Sequence, residues 1–388
     1  MRRTRSAPSR DVGSPRGEPR DLVRTHRRAG DRPRGDARVR AQRRPADRAQ
    51  ERRRGPRAGG LPRAELAARA GLDADPRGLR GGGEARSPIT NALVLEELAC
   101  GDAGLALAAL APALFAMPVV EFGTEAQQRE LLPLFCGDRY HAASLALVEP
   151  GPCFDPIGLR TVAERKGDGW VLSGAKCFVP MADRASHFLV LARAGEGVGL
   201  EAVQAFIVPR DAAGLEISEP EKKLGLNGLP TGSLALERVE LPAVGRLGGD
   251  AGCDARRLVN LSRTALGTVL VGLSRAVMEY AIPYAKDREA FGEAIARKQA
   301  IAFTLADMRI EVDAMRWLTW KAASRLEHGV DATREAHLAR SYCARQAMKI
   351  ADDGVQVLGG HGFIREHPIE LWYRNARTLG VLEGTVAL

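Results

Sequence analysis

Three observations predict an α+β fold, with a strand-rich domain set between two helical regions. Apolar residues recur at helical spacing from Pro88 to Leu132, and strand-like runs cluster between Trp170 and Leu241. Three long amphipathic runs then fill Ala255 to Leu358. A change of period from 3.6 to 2 and back marks a β-domain inserted between α-domains. The layout this gives is a basic arm at 1–84, a partial N-terminal helical domain at 85–140, a middle β-barrel or sandwich domain at 141–249 and a C-terminal antiparallel four-helix bundle at 250–388.

The arm is Arg, Pro, Gly, Ala and Asp without apolar periodicity. Such a composition cannot bury enough surface to offset its ordering entropy, so it is expected to be disordered. Residues 1–60 hold 20 Arg, no Lys and 7 acidic residues, a net of +13 against +9 for the whole chain; the remainder is therefore mildly acidic at −4. Three readings compete: a basic arm for nucleic acid or an anionic surface, a transit peptide, or a GC-rich upstream stretch read as protein. The absence of Lys, and of aromatic residues for base stacking, favours the last and argues against a nucleic-acid partner.

Helix is expected from Pro88 to Cys100, then through a strongly apolar run to about Val119, then from Thr124 as N-cap through Leu132. The run Ala103 to Val120 is the longest apolar one, but Pro112 and Pro118 interrupt it and it is Ala-rich. It reads as buried helix rather than a membrane span. Strands are expected at Trp170–Val179, His187–Ala192, Val203–Val208 and Leu234–Leu241, bounded by turns at Lys166-Gly-Asp-Gly169 and Pro209-Arg-Asp211. The helical runs that follow are 255–286, 294–327 and 331–358; long helices with short connections make an antiparallel bundle. No apolar h-region follows Arg2 and Arg3, so no signal peptide is expected. The six cysteines are scattered without a CxxC pair, which argues against a zinc site or a disulfide framework and fits a reducing, cytoplasmic compartment. His141 and His361 have no partner at metal spacing, so no metal is expected.

The stretch with the most chemistry runs from Gln356 to Thr385. A Gly359-Gly360 pair breaks a helical pattern, an aromatic Phe363 follows, Pro368 opens a short Arg-rich helix, and the run closes on Glu383-Gly384-Thr385. Glu383 is one carboxylate in an apolar strip, Gly-Val-Leu-Glu, where lost hydration would raise its pKa toward that of a general base. Taken alone, the glycine pair reads equally well as a helix C-cap and Glu383 as an ordinary glutamate.

This stretch resembles the C-terminal signature of the acyl-CoA dehydrogenases: a Gly-Gly-x-Gly-Phe/Tyr loop, a Pro-x-Glu turn, an Arg-Asp-Ala-Arg-like helix with Asn375 in place of Asp, and Glu-Gly-Thr. A second segment, Tyr284-Ala-x-x-Arg288-x-x-Phe291-Gly-x-x-Ile295-x-x-x-Gln299, is similar to another element of that family. The front of the chain resembles only the second half of the family's N-terminal domain, and the family pattern continues past Glu383 into a further helix.

The resemblance implies the FAD-dependent α,β-dehydrogenation of an acyl-CoA thioester. Glu383 would take the α-proton while the β-hydrogen leaves as hydride to the flavin. Leu145 and Leu147, and Val148 at the head of a segment (148–155) similar to Thr-Glu-Pro-Gly-Ala-Gly-Ser-Asp, would border the flavin, as would Phe178, Val179 and Pro180 in a segment similar to Lys-x-Trp/Phe-Ile-Thr. Pro180 stands where the family has a hydrogen-bonding Thr, and it has neither a hydroxyl nor an N–H. Arg288, Phe291 and Gln299 would hold FAD across a subunit boundary, with Gln356, Gly359 and Gly360 also in the cofactor set; Arg offers phosphate a fork of donors. Gly384 and Thr385 complete the cofactor set. Phe154, in place of Ser, and Asn260 and Arg263, similar to an Asp-x-x-Arg element, would face the substrate. An electron-transfer flavoprotein would accept the electrons, and the chain would be a homotetramer or homodimer with no membrane partner. A catalytically impaired relative is the alternative, supported by Val148, Phe154 and Pro180; a nucleic-acid-binding protein led by the arm is a second.

Overall fold

The structure, a computed structural model, describes residues 87–136, 139–152, 154–195 and 197–388. The basic stretch 1–84 lies outside the described residues, as does Cys153.

Helix α1 (Pro88–Leu110) starts at Ser87, whose hydroxyl accepts from the Thr90 N–H, and Pro88 supplies a favourable first position. It is broken inside at Asp102, whose backbone is extended (φ −158°, ψ 114°) and whose carboxylate caps the restart by accepting from Leu105 N at 2.9 Å. This break is the boundary the sequence places near Cys100. Helix α2 (Ala113–Phe122) follows, and α3 (Glu125–Leu131) begins in a capping box of Thr124 and Gln127.

The middle region is one seven-stranded sheet: β1 (Ala143–Ala146), β2 (Val162–Lys166), β3 (Gly169–Pro180), β4 (His187–Ala194), β5 (Val203–Pro209), β6 (Leu215–Ile217) and β7 (Thr231–Leu241). β4 carries β5 antiparallel along one edge. Along its other edge lie β1, paired parallel from His187 to Val190, and β2, paired parallel at Arg193 and Ala194. β2, β3, β7 and β6 continue the sheet antiparallel. The sheet curls. Phe188, Val190, Phe206 and Val208 from one half meet Leu172, Leu234, Leu236 and Val239 from the other in a single interior cluster, which is the expected barrel or sandwich core. The alternate residues Leu145, Leu147, Leu189, Leu191, Ala205 and Ile207 face outward onto α2, α3 and the start of α4.

The helical domain consists of α4 (Ala255–Asp287), α5 (Gln299–Glu327), α6 (Thr333–Leu358) and the short α7 (Ile369–Leu379). α1 shares its core, so the helices before the sheet part company: α1 packs with the bundle, while α2 and α3 cover the outer face of the sheet. α4 has the length and apolarity to cross a bilayer, as does the bent α1–α2 pair; 78% of the apolar window of α4 is buried within the protein, as in a bundle core. Helix α5 starts five residues later than expected. A hairpin of β8 (Glu289–Ala290) and β9 (Glu293–Ala294) comes first, turning through Phe291 and Gly292 with φ +56° and +83°. Positive φ at both turn positions matches strand twist, and at Phe291 it is paid in strain.

Candidate active site

The segment after α7 runs Gly380-Val-Leu382-Glu383-Gly384-Thr385 between the outer face of the sheet and the bundle. Gly384 adopts φ +65°, and a Cβ there would lie 2.8 Å from Leu147 Cβ. Only glycine allows that backbone and that approach. Glu383 is therefore anchored beside the strand end that holds Leu147 and Val148. Val148 in turn accepts from Cys177 N at 2.8 Å, which brings it next to Phe178, Val179 and Pro180. β3 slips register between Lys176 and Val179, and Phe178 has φ +54°; bulges of this kind re-aim side chains at site margins. Phe154 packs half-buried on the same outer-face cluster as Leu145 and Leu147. Asn260 is buried, with its amide donated to Thr333 Oγ1 at 3.1 Å.

The expected apolar surroundings of Glu383 are not what the fold provides. Arg263 Nε of α4 lies 3.6 Å from Oε2, and Arg340 Nε of α6 lies 3.5 Å from Oε1. Apolar neighbours in sequence said nothing about two helices that each bring in a cation. Both Nε atoms and Glu383 Oε2 lack hydrogen bonds, so the carboxylate is held by charge and keeps its acceptor capacity. Burial lowers the hold of Arg340 on its proton, and Glu383 opposes that shift. Thr385 is also fully buried with an unpartnered hydroxyl. A buried hydroxyl without a partner is costly, and the heteroatoms of a flavin at this junction would satisfy it.

Beneath the strand end lies a pair the sequence reading left out of the site. Lys176 is fully buried; its Nζ donates to Glu149 Oε1 at 2.9 Å and to Leu147 O at 3.2 Å. Glu149 also accepts from the backbone N–H groups of Arg160 (2.7 Å) and Thr161 (2.8 Å). Burial alone would push Glu149 upward, but the Lys176 ammonium and these donors outweigh it and hold the carboxyl below its ordinary range. Burial also lowers Lys176, to about 8, against the pull of Glu149. A fully polar pair within two residues of Val148 fixes the strand end.

The other expected cofactor residues lie elsewhere. Arg288, Phe291, Gln299, Gln356, Gly359 and Gly360 are all exposed, Phe291 at 95%. Arg288 follows the last residue of α4, 25 residues after Arg263, which on a continuous helix is on the order of 35–40 Å. Around them, Tyr284 Oη bonds His361 Nδ1 at 2.8 Å, Tyr280 Oη bonds His367 Nδ1 at 2.7 Å, and the two imidazoles stack with centroids 5.2 Å apart. Sequence reasoning treated His361 as isolated because Tyr284 lies 77 residues away. Arg340 was also missed, although one signal was available: it is the lone cation on a helical face of Ala336, Ala339, Cys343, Ala347 and Ile350.

Comparison with known proteins decides the family. Family signatures match across the chain: acyl-CoA dehydrogenase N-terminal domain at residues 34–138, middle domain at 144–239 and C-terminal domain at 254–388. A probable acyl-CoA dehydrogenase of Bacillus subtilis is 36% identical over 310 residues, 78% of this chain and 81% of that protein. The chain belongs to the acyl-CoA dehydrogenase family. The N-terminal match begins within the stretch read from sequence as an arm. A 3-(aryl)acrylate reductase of Clostridium sporogenes is 31% identical, covering 78% of this chain and 80% of that one. Among solved structures, the butyryl-CoA dehydrogenase of Megasphaera elsdenii superimposes with a TM-score of 0.72 at 30% identity, over 83% of this chain and 85% of that one. Members of this family are FAD flavoproteins, and the chain is one by its membership. The buried hydroxyl of Thr385, the bulge at Phe178 and the exposed guanidinium of Arg288 are residues that fit that cofactor.

Proposed function

We propose that the protein catalyses α,β-dehydrogenation of an acyl-CoA thioester, with Glu383 as the base. One observation carries this: the glycine-enforced contact of Gly384 with Leu147 holds Glu383 against the strand that the family resemblance assigns to the flavin. Leu145, Leu147, Val148, Phe178, Val179, Gly384 and Thr385 would line the flavin's ring, and Pro180 would border it without donating. Phe154, Asn260 and Arg263 would lie on the substrate side. Bound FAD supplies the acceptor for the β-hydrogen.

The chain's own work is positional and electrostatic. The thioester carbonyl acidifies the α-carbon, and Glu383 takes that proton on the oxygen left without a hydrogen bond. Arg263 and Arg340 bring two positive charges beside that carboxylate. The site lies between the sheet and the bundle. The exposed set from Arg288 to Gly360 would complete the FAD site of a second copy, which makes the functional unit a homo-oligomer; an electron-transfer flavoprotein would take the electrons onward.

The competing reading is an impaired relative. The buried Pro180 favours it, because it can offer a flavin neither a hydroxyl nor an N–H. Stopped-flow reduction of the bound flavin by saturated acyl-CoA separates the two. Wild type should bleach, and Glu383→Gln should keep the fold and FAD but bleach roughly 10²–10⁴-fold more slowly. Glu383→Asp should fall between. A wild type that never bleaches establishes the impaired reading; equal rates in wild type and Gln variant remove Glu383 from the role.

A further inference from the structure

Arg340 sits in mid-α6 on a seam that is otherwise small and apolar, with Ala336, Ala339, Cys343 and Ala347 fully buried around it. A guanidinium there loses hydration, so its contacts must be good enough to offset that loss. Its Nη2 donates to three carbonyls of one segment: Leu379 at 3.0 Å, Gly380 at 3.2 Å and Leu382 at 2.7 Å. Leu379 closes α7, so Arg340 reaches carbonyls that the helix's own ladder leaves open, and a cation meets the helix's negative end. The same side chain then places Nε 3.5 Å from Glu383 Oε1.

We propose that Arg340 is a positioning residue for Glu383: it ties the 379–382 backbone into one conformation and keeps a positive charge beside the carboxylate that follows. This rests on Glu383 being the base. The charged groups facing Glu383 are Arg263 from α4 and Arg340 from α6. Cys343, a turn along α6, is a fully buried thiol that burial pushes upward, so it stays neutral. Arg263 touches the carboxylate alone; Arg340 joins the carboxylate to the backbone that carries it. The division of labour is testable because Lys keeps the charge but not the fork of donors.

The experiment uses the FAD-loaded full chain, with Arg340→Met, Arg340→Lys and Glu383→Gln beside wild type. Hydrogen exchange over residues 380–384 reads the backbone tie. Stopped-flow reduction by butyryl-, octanoyl- and palmitoyl-CoA reads the chemistry. Arg340→Met should exchange faster in this segment and be reduced on the order of 10²-fold more slowly, the cost of a slightly misplaced group. Its KM should hold while kcat falls, because the groups Arg340 reaches are Glu383 and the backbone that carries it. Arg340→Lys should recover part of the rate, yet still exchange fast. If the Met variant does not fold, Arg340→Gln replaces it under the same criteria. Wild-type exchange in Arg340→Met overturns the proposal, and so does slower reduction that comes from a raised KM at unchanged kcat. Fast exchange in Arg340→Met, together with a Glu383→Gln variant that bleaches like wild type, would overturn the base assignment and the positioning role with it, leaving only the backbone tie.

Discussion

The residues at Glu383 and those around Arg288 belong to one expected site, yet the fold treats them in opposite ways. Around Glu383 each charge has a neighbour from another element: Arg263 from α4, Arg340 from α6, and beneath them Lys176 against Glu149. Around Arg288 the Tyr280, Tyr284, His361 and His367 side chains are half-buried against one another, while Arg288, Gln299 and Gln356 stand exposed and Phe291 and Phe363 almost wholly so. Under the proposed function, the open half is what a second copy would cover. Buried charges must be answered within the chain, whereas exposed ones can await a partner.

The comparison implies that damage to the closed half costs stability, and damage to the open half costs ligand. Lys176→Met should show the largest loss. It leaves Glu149 buried with the backbone donors of Arg160 and Thr161 and the mostly exposed Arg160 guanidinium 3.7 Å away, and breaking such a buried pair costs about 3–5 kcal/mol. Chemical denaturation measures this, and the double variant Glu149→Gln with Lys176→Met should recover much of it. A single variant as stable as wild type would mean that the pair is not the support described here.

Arg288→Glu tests the open half. Reversing that exposed charge should release FAD and weaken assembly while leaving the far-UV helical signal and the monomer's denaturation midpoint nearly unchanged. Flavin absorbance after gel filtration is the readout. If FAD stays bound, or if a dilute monomer holds it as tightly as the oligomer, the open half is not a cofactor surface.

Acid supplies the smallest and most discriminating effect. Burial lowers His367, and the stacked His361 lowers it further, with Glu366 opposing. The folded state therefore binds this proton less readily than the unfolded chain. The resulting stability is complete above 6.5 and is lost as pH falls through that value toward the lower folded one. Glu149, by contrast, is held below 4.5, so its contribution persists until pH falls under that value. Other groups at the imidazole stack are Tyr280, Tyr284 and Arg288. A plot of melting temperature against pH should fall below 6.5 in wild type and fall less steeply in His367→Asn, the remaining slope coming from His141 and His187, which burial also lowers. An unchanged slope in that variant would place the acid sensitivity elsewhere.

The division between the halves also explains what could be read from sequence. Local signals survived folding: Thr124 and Gln127 form the capping box, Ser87 and Pro88 start a helix, and Gly384 is glycine because Leu147 is close. The long strands were visible by alternation, but β1, β2 and β6 are too short to alternate convincingly. The surroundings of Glu383 were misjudged because Arg263 and Arg340 lie 120 and 43 residues before it, each inside a helix whose pattern advertises only packing. The exposed half was legible through motif resemblance alone, since a surface with no partner leaves no packing pattern.

The contact of Gly384 with Leu147 also says when the site comes into being. It joins positions 237 residues apart, whereas α5 and α6 meet across a turn of a few residues. β3 pairs with β7 at separations of 51 to 71 residues. Contacts that close long loops are entropically expensive and form late. Refolding should therefore recover helix first and the sheet afterwards. The Glu383 carboxylate should take its place in the last phase, so regain of activity should lag behind regain of structure.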